Sequence, residues 1–349
     1  MRKPVVKTLE IISLLAGLAL FAYLVKQVGL GALAHYLGAM GWGSALIIGL
    51  SFLRTCARAA SWYFAIEPSR RQVGYWPLMN VMLAGEAIKY LTAMGPLLGE
   101  PAKAALVRRD VPLVEGVSSI VIENLIYNLT VFLFLLSGLP ALALLADLPY
   151  KVEAGAYVFA SLIIFAILFA WVAIRGRWYV LARMIGLASR LMSRRARLTP
   201  GAARGRAGSV AGRVLAVEKN VSLFYEQRRA AFFLIFAVNV AAHAINVIEV
   251  YVILAMMGLP ASLPSGFVIE AVTKVINAAF FFVPTRAGVY ESGNAMVLKA
   301  LGMQPGAGVA LAIIRKLRAF AWVGYGLVAV AVLRLKDRRL DATREAGRG

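Results

Sequence analysis

Apolar residues crowd six stretches of the chain, about 8–25, 43–66, 114–137, 154–174, 230–257 and 306–333. Several reach or exceed the roughly 18–20 apolar residues that cross a hydrocarbon core as one helix, so all six are predicted as membrane spans. Two further stretches, about 75–109 and 265–302, are apolar but interrupted and charged. From Gly85 to Arg109 the chain reads GEAIKYLTAMGPLLGEPAKAALVRR, with Glu86, Lys89, Glu100 and Lys103 inside it. Glycine and proline disfavour an uninterrupted helix, so breaks are expected at Gly95-Pro96 and again at Gly99 and Pro101. Broken backbone at membrane depth is tolerated only where it is buried in protein or lines a polar cavity. The short alternating strands of a membrane β-barrel are missing from the pattern. The expected fold is all-α: a polytopic membrane protein of about six transmembrane helices plus two re-entrant broken helical hairpins.

Composition agrees, with 61% hydrophobic residues, 16% charged residues and a mean hydropathy of +0.76. Soluble domains carry about 25% charged residues. The net charge of +21 would point to nucleic acid in a soluble protein. Here the charge flanks the apolar runs, so anionic lipid at the cytoplasmic face is the expected partner and nucleic acid is not. Arg2, Lys3 and Lys7 precede an apolar run from Thr8 to Val25 with no small-x-small cleavage site before Lys26-Gln27. That run is therefore read as a retained first helix.

The positive-inside rule places the amino terminus, the Glu67–Arg71 turn, the Arg175–Arg229 linker and the tail after Leu333 in the cytoplasm. Six spans satisfy this only if each broken stretch enters and leaves on one side. The first would enter from the cytoplasm, where Arg70, Arg71, Arg108 and Arg109 mark its ends, and the second from outside. Two units pointing in opposite directions make an inverted repeat. Local sequence adds a weak echo: Glu86-Ala87 and Glu270-Ala271 are each followed by a lysine, a proline, a glycine and a glutamate. The spacings differ by a few residues, which leaves chance similarity open.

The chain is accordingly read as one integral membrane domain. Residues 1–41 form a first helix and outer loop, 42–174 a first repeat plus an extra helix, and 175–229 a basic linker. Residues 230–333 form a second repeat and 334–349 a basic tail. Within the linker, Leu181, Met184, Ile185, Ala188, Leu191 and Met192 recur at helical spacing opposite Arg183, Arg190 and Arg194. That describes a basic amphipathic helix at the membrane surface, although arginines that only fix topology would give the same count. The stretch Leu198–Gly212 is read as a flexible connection.

A charge near the bilayer centre costs at least about 2.5–3.5 kcal/mol on insertion scales, so each one calls for a partner or a task. Arg54 and Arg58 share one face of the second span. Arg58 can snorkel toward the cytoplasmic end, whereas Arg54 lies about 18 Å along a helix from Ile66 and cannot easily do so. The arginine fork suits phosphate oxygens, so a lipid phosphate or a neighbouring carboxylate is expected at Arg54. The third span carries Glu123, Asn124, Tyr127 and Asn128; Glu123 would pair with Arg54 or Arg58, or carry a proton. In the fifth span Asn239, His243 and Asn246 form a polar stripe with Glu249 slightly off it, and His243 is read as a packing residue. Glu270, Lys274 and Asn277 fall at i, i+4, i+7, with the Glu-before-Lys order that favours an intrahelical pair. Beyond Pro284 come Arg286, Gly288 and Glu291, where a new helix would aim its positive end at an anion. Arg315, Lys316 and Arg318 lie too far from the cytoplasmic end of the last span to be topology markers; they would line the cavity from the outer side or bind outer-leaflet phosphates.

Chemistry that depends on other residue types is disfavoured. One cysteine, Cys56, rules out an intrachain disulfide framework, and the histidines, His35 and His243, lack an HExxH-type partner. No cofactor or metal is expected, and without a GxxxxGK[ST] run neither is ATP hydrolysis.

The Gly99–Lys103 run, GEPAK, after an apolar half-helix resembles the glycine-glutamate-basic motif of one membrane family. That family comprises the transmembrane region of lysylphosphatidylglycerol synthases and its stand-alone flippase-like relatives, the hopanoid-associated ones included. Ile122-Glu123-Asn124 is similar to the family's next-helix motif, with asparagine where arginine is usual. Pro284 through Glu291 resembles its proline, glycine-rich, glutamate motif, with Thr285-Arg286-Ala287 where glycines are commoner. Arg315 also fits, and the resemblance spans roughly Trp42 to Leu333.

The resemblance implies movement of a polar-headed lipid between leaflets of a bacterial cytoplasmic membrane. It assigns aminoacyl transfer to a separate soluble domain, for which this sequence has no candidate segment, so no enzyme is expected. The candidate headgroup site comprises the cations Arg54, Arg58, Lys89, Lys103, Lys274, Arg286 and Arg315. Glu86, Glu100, Glu123, Glu270 and Glu291 supply the counter-charges, and Asn128 and Asn277 the polar lining. The alternatives are an intramembrane transferase acting on a lipid-linked substrate and a non-catalytic partner of a lipid-synthesis complex.

Overall fold

The computed structural model describes residues 41–92, 95–145, 150–179, 183, 200–280 and 288–346. The expected first span, most of the amphipathic segment after Trp178, Pro284 and Arg286 lie outside the described residues. Among those described, no strand occurs and ten α-helices follow one another. They are α1 (Trp42–Ala65), α2 (Tyr75–Leu91), α3 (Gly95–Val107), α4 (Leu113–Leu145) and α5 (Tyr150–Arg175), followed by α6 (Pro200–Gln227), α7 (Arg229–Met256), α8 (Leu263–Ala279), α9 (Val289–Ala300) and α10 (Pro305–Ala346).

Among the described residues, four helices are long and apolar enough to cross a membrane: α4, α5 over Tyr157–Arg175, α7, and α10 over Pro305–Leu335. Helix α1 sits where the second span was expected but falls outside this group, because Arg54 and Arg58 lower its mean hydropathy. Its outer face is nevertheless apolar, with Leu46, Ile48, Phe52 and Leu53 exposed. On α5, Tyr157, Leu162, Phe165, Phe169 and Trp171 are exposed together. Apolar surface of that extent marks contact with lipid or protein. The chain is an all-helical, multi-pass membrane protein.

The first interrupted stretch forms two helices joined near Thr92, with one break rather than the two expected. Gly99 and Pro101 both lie inside α3. Proline here leaves one carbonyl without its helical partner, a cost the short helix tolerates. The glycines serve close approach instead. A Cβ on Gly95 would lie 1.9 Å from the Lys89 carbonyl oxygen, and one on Gly99 would lie 2.6 Å from the Lys89 Cβ. Without side chains at these points, α3 lies directly against α2. The second interrupted stretch is α8 and α9. Helix α8 starts in a capping box between Ser262 and Ser265, and α9 starts at Gly288 (φ 82°), whose N–H donates to Glu291 Oε2 at 2.9 Å.

One other expectation is corrected. Residues 200–212 are the first turns of α6, not a flexible connection, because alanine and arginine are strong helix formers that outweigh the scattered glycines. The basic tail continues α10 as helix to Ala346. The end of α6 is fastened to the bundle. Arg228 donates to the carbonyls of Phe64 (2.9 Å) and Ala65 (3.2 Å), the unsatisfied end of α1.

The helices pack in a pattern that survives exchange of the two units. Helix α1 lies against α7 at the centre. Helix α2 packs on α10 as α8 packs on α4, and α3 packs on α4 as α9 packs on α10. Glycine marks both cross-unit seams: a Cβ on Gly326 of α10 would meet the Leu83 carbonyl oxygen at 2.4 Å, and one on Gly138 of α4 would meet Ala271 Cβ at 2.4 Å. Each unit also has its own apolar core. One gathers Trp62, Leu78, Met82, Val107 and Ile120; the other gathers Val250, Leu254, Ile269, Leu298 and Leu311.

Candidate functional site

Close approach of α2 and α3 brings their four charged residues into one ring. Lys103 Nζ lies 2.9 Å from Glu86 Oε1 and 3.2 Å from Glu100 Oε2. Lys89 Nζ lies 3.4 Å from Glu86 and 3.6 Å from Glu100. Two lysines and two glutamates neutralise one another, and the Lys103 side chain, 4% exposed, is shut inside. The residues that looked least compatible with a membrane helix are therefore what closes the first elbow.

The spans carry a second set of pairs. Arg58 on α1 reaches Glu123 on α4 at 2.6 Å, stacks over the Tyr127 ring at 3.8 Å and donates to Asn239 Oδ1 at 3.4 Å. The corresponding helices of the other unit, α7 and α10, are paired with the charges exchanged. Glu249 of α7, fully buried, accepts from Arg318 of α10 and lies 3.5 Å from Arg315 Nε. Arg315 Nη2 also donates to Glu270 Oε2 of α8 at 2.6 Å, and Lys274 lies 3.0 Å from the other oxygen of that carboxylate. Lys316 pairs with Glu291 of α9.

Between the two elbows lies a cavity of about 430 Å3, adjoining a smaller one of about 190 Å3. Arg54, Glu86, Lys89, Tyr90, Tyr127 and Arg318 line both, so the two form one polar space. Glu100, Lys103, Glu123, Glu249 and Glu291 stand behind the wall and hold wall residues in place. Arg54 is different. Among the described residues it makes no ion pair, and its Nε, like those of Arg315 and Arg318, is buried with no hydrogen-bond partner. Among the described residues around the cavity, eight cations (Arg54, Arg58, Lys89, Lys103, Lys274, Arg315, Lys316, Arg318) face six carboxylates (Glu86, Glu100, Glu123, Glu249, Glu270, Glu291), an excess of two positive charges. One excess charge is Arg54, and the other belongs to the α7–α10 cluster, where four cations meet three carboxylates.

Of the residues expected from sequence, Arg54, Arg58, Glu86, Lys89, Asn128, Glu270, Lys274, Asn277 and Arg315 line the joined cavity. Glu100, Lys103, Glu123 and Glu291 support it from behind, and Arg286 lies outside the described residues. His243 sits apart from the lining, with its Nε2 3.0 Å from the Thr130 hydroxyl. Lys316 and Arg318, expected from sequence to line the cavity or bind outer-leaflet phosphates, line it as well. The candidate set omitted Glu249, Tyr127, Asn246 and Tyr290. A carboxylate within an apolar span was the available signal for Glu249. Among the described residues no group of three or more metal-ligating side chains is placed to hold an ion.

No curated protein and no solved structure matches the chain. One protein family does, described as the transmembrane region of lysylphosphatidylglycerol synthase, and its match runs over residues 11–328. That range contains both elbows and all the named residues around the cavity, so the chain belongs to the lysylphosphatidylglycerol synthase transmembrane-region family.

Proposed function

We propose that the protein is a lipid flippase that moves a polar-headed, anionic lipid between the leaflets of a bacterial cytoplasmic membrane. The headgroup sits in the joined cavity, and the two elbows enter the membrane from opposite faces with both chain termini in the cytoplasm. The observation that carries this reading is Arg54: a guanidinium lining the cavity that makes no ion pair among the described residues while its neighbours are paired. An arginine in that position is arranged for the phosphate of a ligand. The excess of positive charge favours an anionic headgroup over a cationic one such as an aminoacylated glycerophosphate. Membership of a lipid-handling family supports the substrate class, and the exchange-related packing of the two units supports alternating exposure of a fixed central site.

The test uses proteoliposomes containing a trace of headgroup-labelled phosphatidylglycerol, with a membrane-impermeant quencher added outside. The protein accelerates loss of the protected inner-leaflet signal, and Arg54→Gln returns it to the protein-free rate. Equal rates for the unaltered protein and Arg54→Gln remove the proposed site. Covalent change in the recovered lipid would identify an enzyme instead.

A further inference from the structure

A separate hollow of about 750 Å3 lies between α4, α5, α7 and the end of α6. Its walls are apolar, built from Leu129, Phe132, Ile167, Trp171 and Phe232. Two observations identify the hydrocarbon that fits it. At one end stand Arg175 and Arg229, both exposed and neither in an ion pair among the described residues. The carboxylate on the same rim, Glu226, is already held by Arg177 at 2.7 Å. The rim therefore offers two cations that meet no carboxylate among the described residues, Arg175 resting over the Trp171 ring at 5.7 Å, beside an apolar trough; that is the chemistry of an anionic amphiphile. At the other end stands Asn128, which lines this hollow and the charged cavity alike. It is exposed, makes no hydrogen bond among the described residues, and sits about 22 Å along α4 from Leu113. An unpartnered amide at that depth is a polar stepping point between the two spaces.

We propose that this hollow is an acyl-chain site for an anionic glycerophospholipid of the cytoplasmic leaflet. The phosphate rests on Arg175 and Arg229, the chains lie along α4 and α5, and Asn128 marks the doorway through which a headgroup passes into the charged cavity. The doorway role rests on the flippase reading; occupation of the hollow does not.

The experiment places the full chain in phosphatidylcholine nanodiscs with a trace of phosphatidylglycerol carrying a photoreactive group on one acyl chain. Labelled peptides are then identified by mass spectrometry. Labelling is expected on α4 near Leu129 and on α5 near Ile167, displaced by unlabelled phosphatidylglycerol and not by more phosphatidylcholine. Each basic residue at an anionic lipid surface contributes roughly fivefold in affinity, so Arg175→Gln with Arg229→Gln should weaken labelling about 25-fold. Both positions are exposed, which keeps the fold out of the result. Arg54→Gln should leave labelling intact while stopping transport, and Asn128→Leu should slow transport. Labelling indifferent to the two arginines, or to headgroup charge, overturns the proposal. So does a disulfide between a cysteine placed at 167 and one placed in the 8–25 segment of the same chain or in a second copy, which would show the hollow filled by protein. Intact transport in Arg54→Gln with charge-dependent labelling would sink the flippase site and leave this one standing.

Discussion

Replacing Arg54 by methionine should stabilise the protein while abolishing its activity, and replacing Glu270 by glutamine should do the opposite to stability. Arg54 is half-buried in the middle of α1, with its Nε unsatisfied and no ion pair among the described residues. A guanidinium at the bilayer centre costs about 2.5–3.5 kcal/mol on insertion scales, so a methionine of similar length should recover up to roughly 2–3 kcal/mol, with the cavity's water reducing the gain. Glu270 is 3% exposed and serves two cations, Arg315 at 2.6 Å and Lys274 at 3.0 Å. Removing one partner of a buried pair costs about 3–5 kcal/mol, because the other charge is left uncompensated. Arg315 retains Glu249 at 3.5 Å, which puts Glu270→Gln near the lower end of that range. Thermal unfolding in detergent, followed by tryptophan fluorescence, reads both effects, and the proteoliposome assay reads activity. Loss of stability in Arg54→Met comparable to that in Glu270→Gln would refute the reasoning, since it would mean the protein already satisfies Arg54.

The exchanged charges of the two units make a cycle at Arg58 and Glu123 informative. Arg58→Ala and Glu123→Ala should each destabilise by about 3 kcal/mol, the double variant by much less than their sum, and the swap Arg58→Glu with Glu123→Arg should recover part of the loss; additive losses would show that the pair is not coupled. Gly99→Leu should force α3 away from α2, break the four-residue ring and lower both the unfolding midpoint and the transport rate, whereas Gly155→Leu, with open space around it, should do neither. In a Cys56→Ser background, a cysteine at Ser69 should react with an impermeant maleimide only from the cytoplasmic side and one at Gln304 only from outside; reaction of both from one side contradicts the opposed elbows.

Much of the helical framework was legible because a span and a hydropathy maximum are the same physical object. Starting residues for α1, α4, α7 and α10 fall within one position of the apolar stretches that predicted them. The elbows were legible for a related reason, since charge and glycine inside apolar sequence are costly unless something organises them. What each glycine does was not legible. Gly99 reads equally well as a break or as a contact point, and only the position of Lys89 across the elbow decides it. Pairing was legible in part: Glu123 with Arg58 and Glu270 with Lys274 were expected and form, whereas Glu86 and Lys103 lie on two helices whose angle no local pattern sets. Glu249 and Arg318 lie on spans far apart in sequence, so their partnership required the packing of α7 against α10. The helix at the start of α6 was missed because a glycine- and arginine-rich composition was allowed to outweigh its alanines.

The excess of positive charge around Arg54 is tested most directly by headgroup selectivity. Translocation rates of phosphatidylglycerol, phosphatidylethanolamine and lysylphosphatidylglycerol, each labelled on one acyl chain, should be compared in the same proteoliposomes. The charge balance around the cavity predicts that the anionic lipid moves fastest and the cationic one slowest, with the difference lost in Arg54→Gln. Equal rates for all three, or the cationic lipid moving fastest, would contradict it.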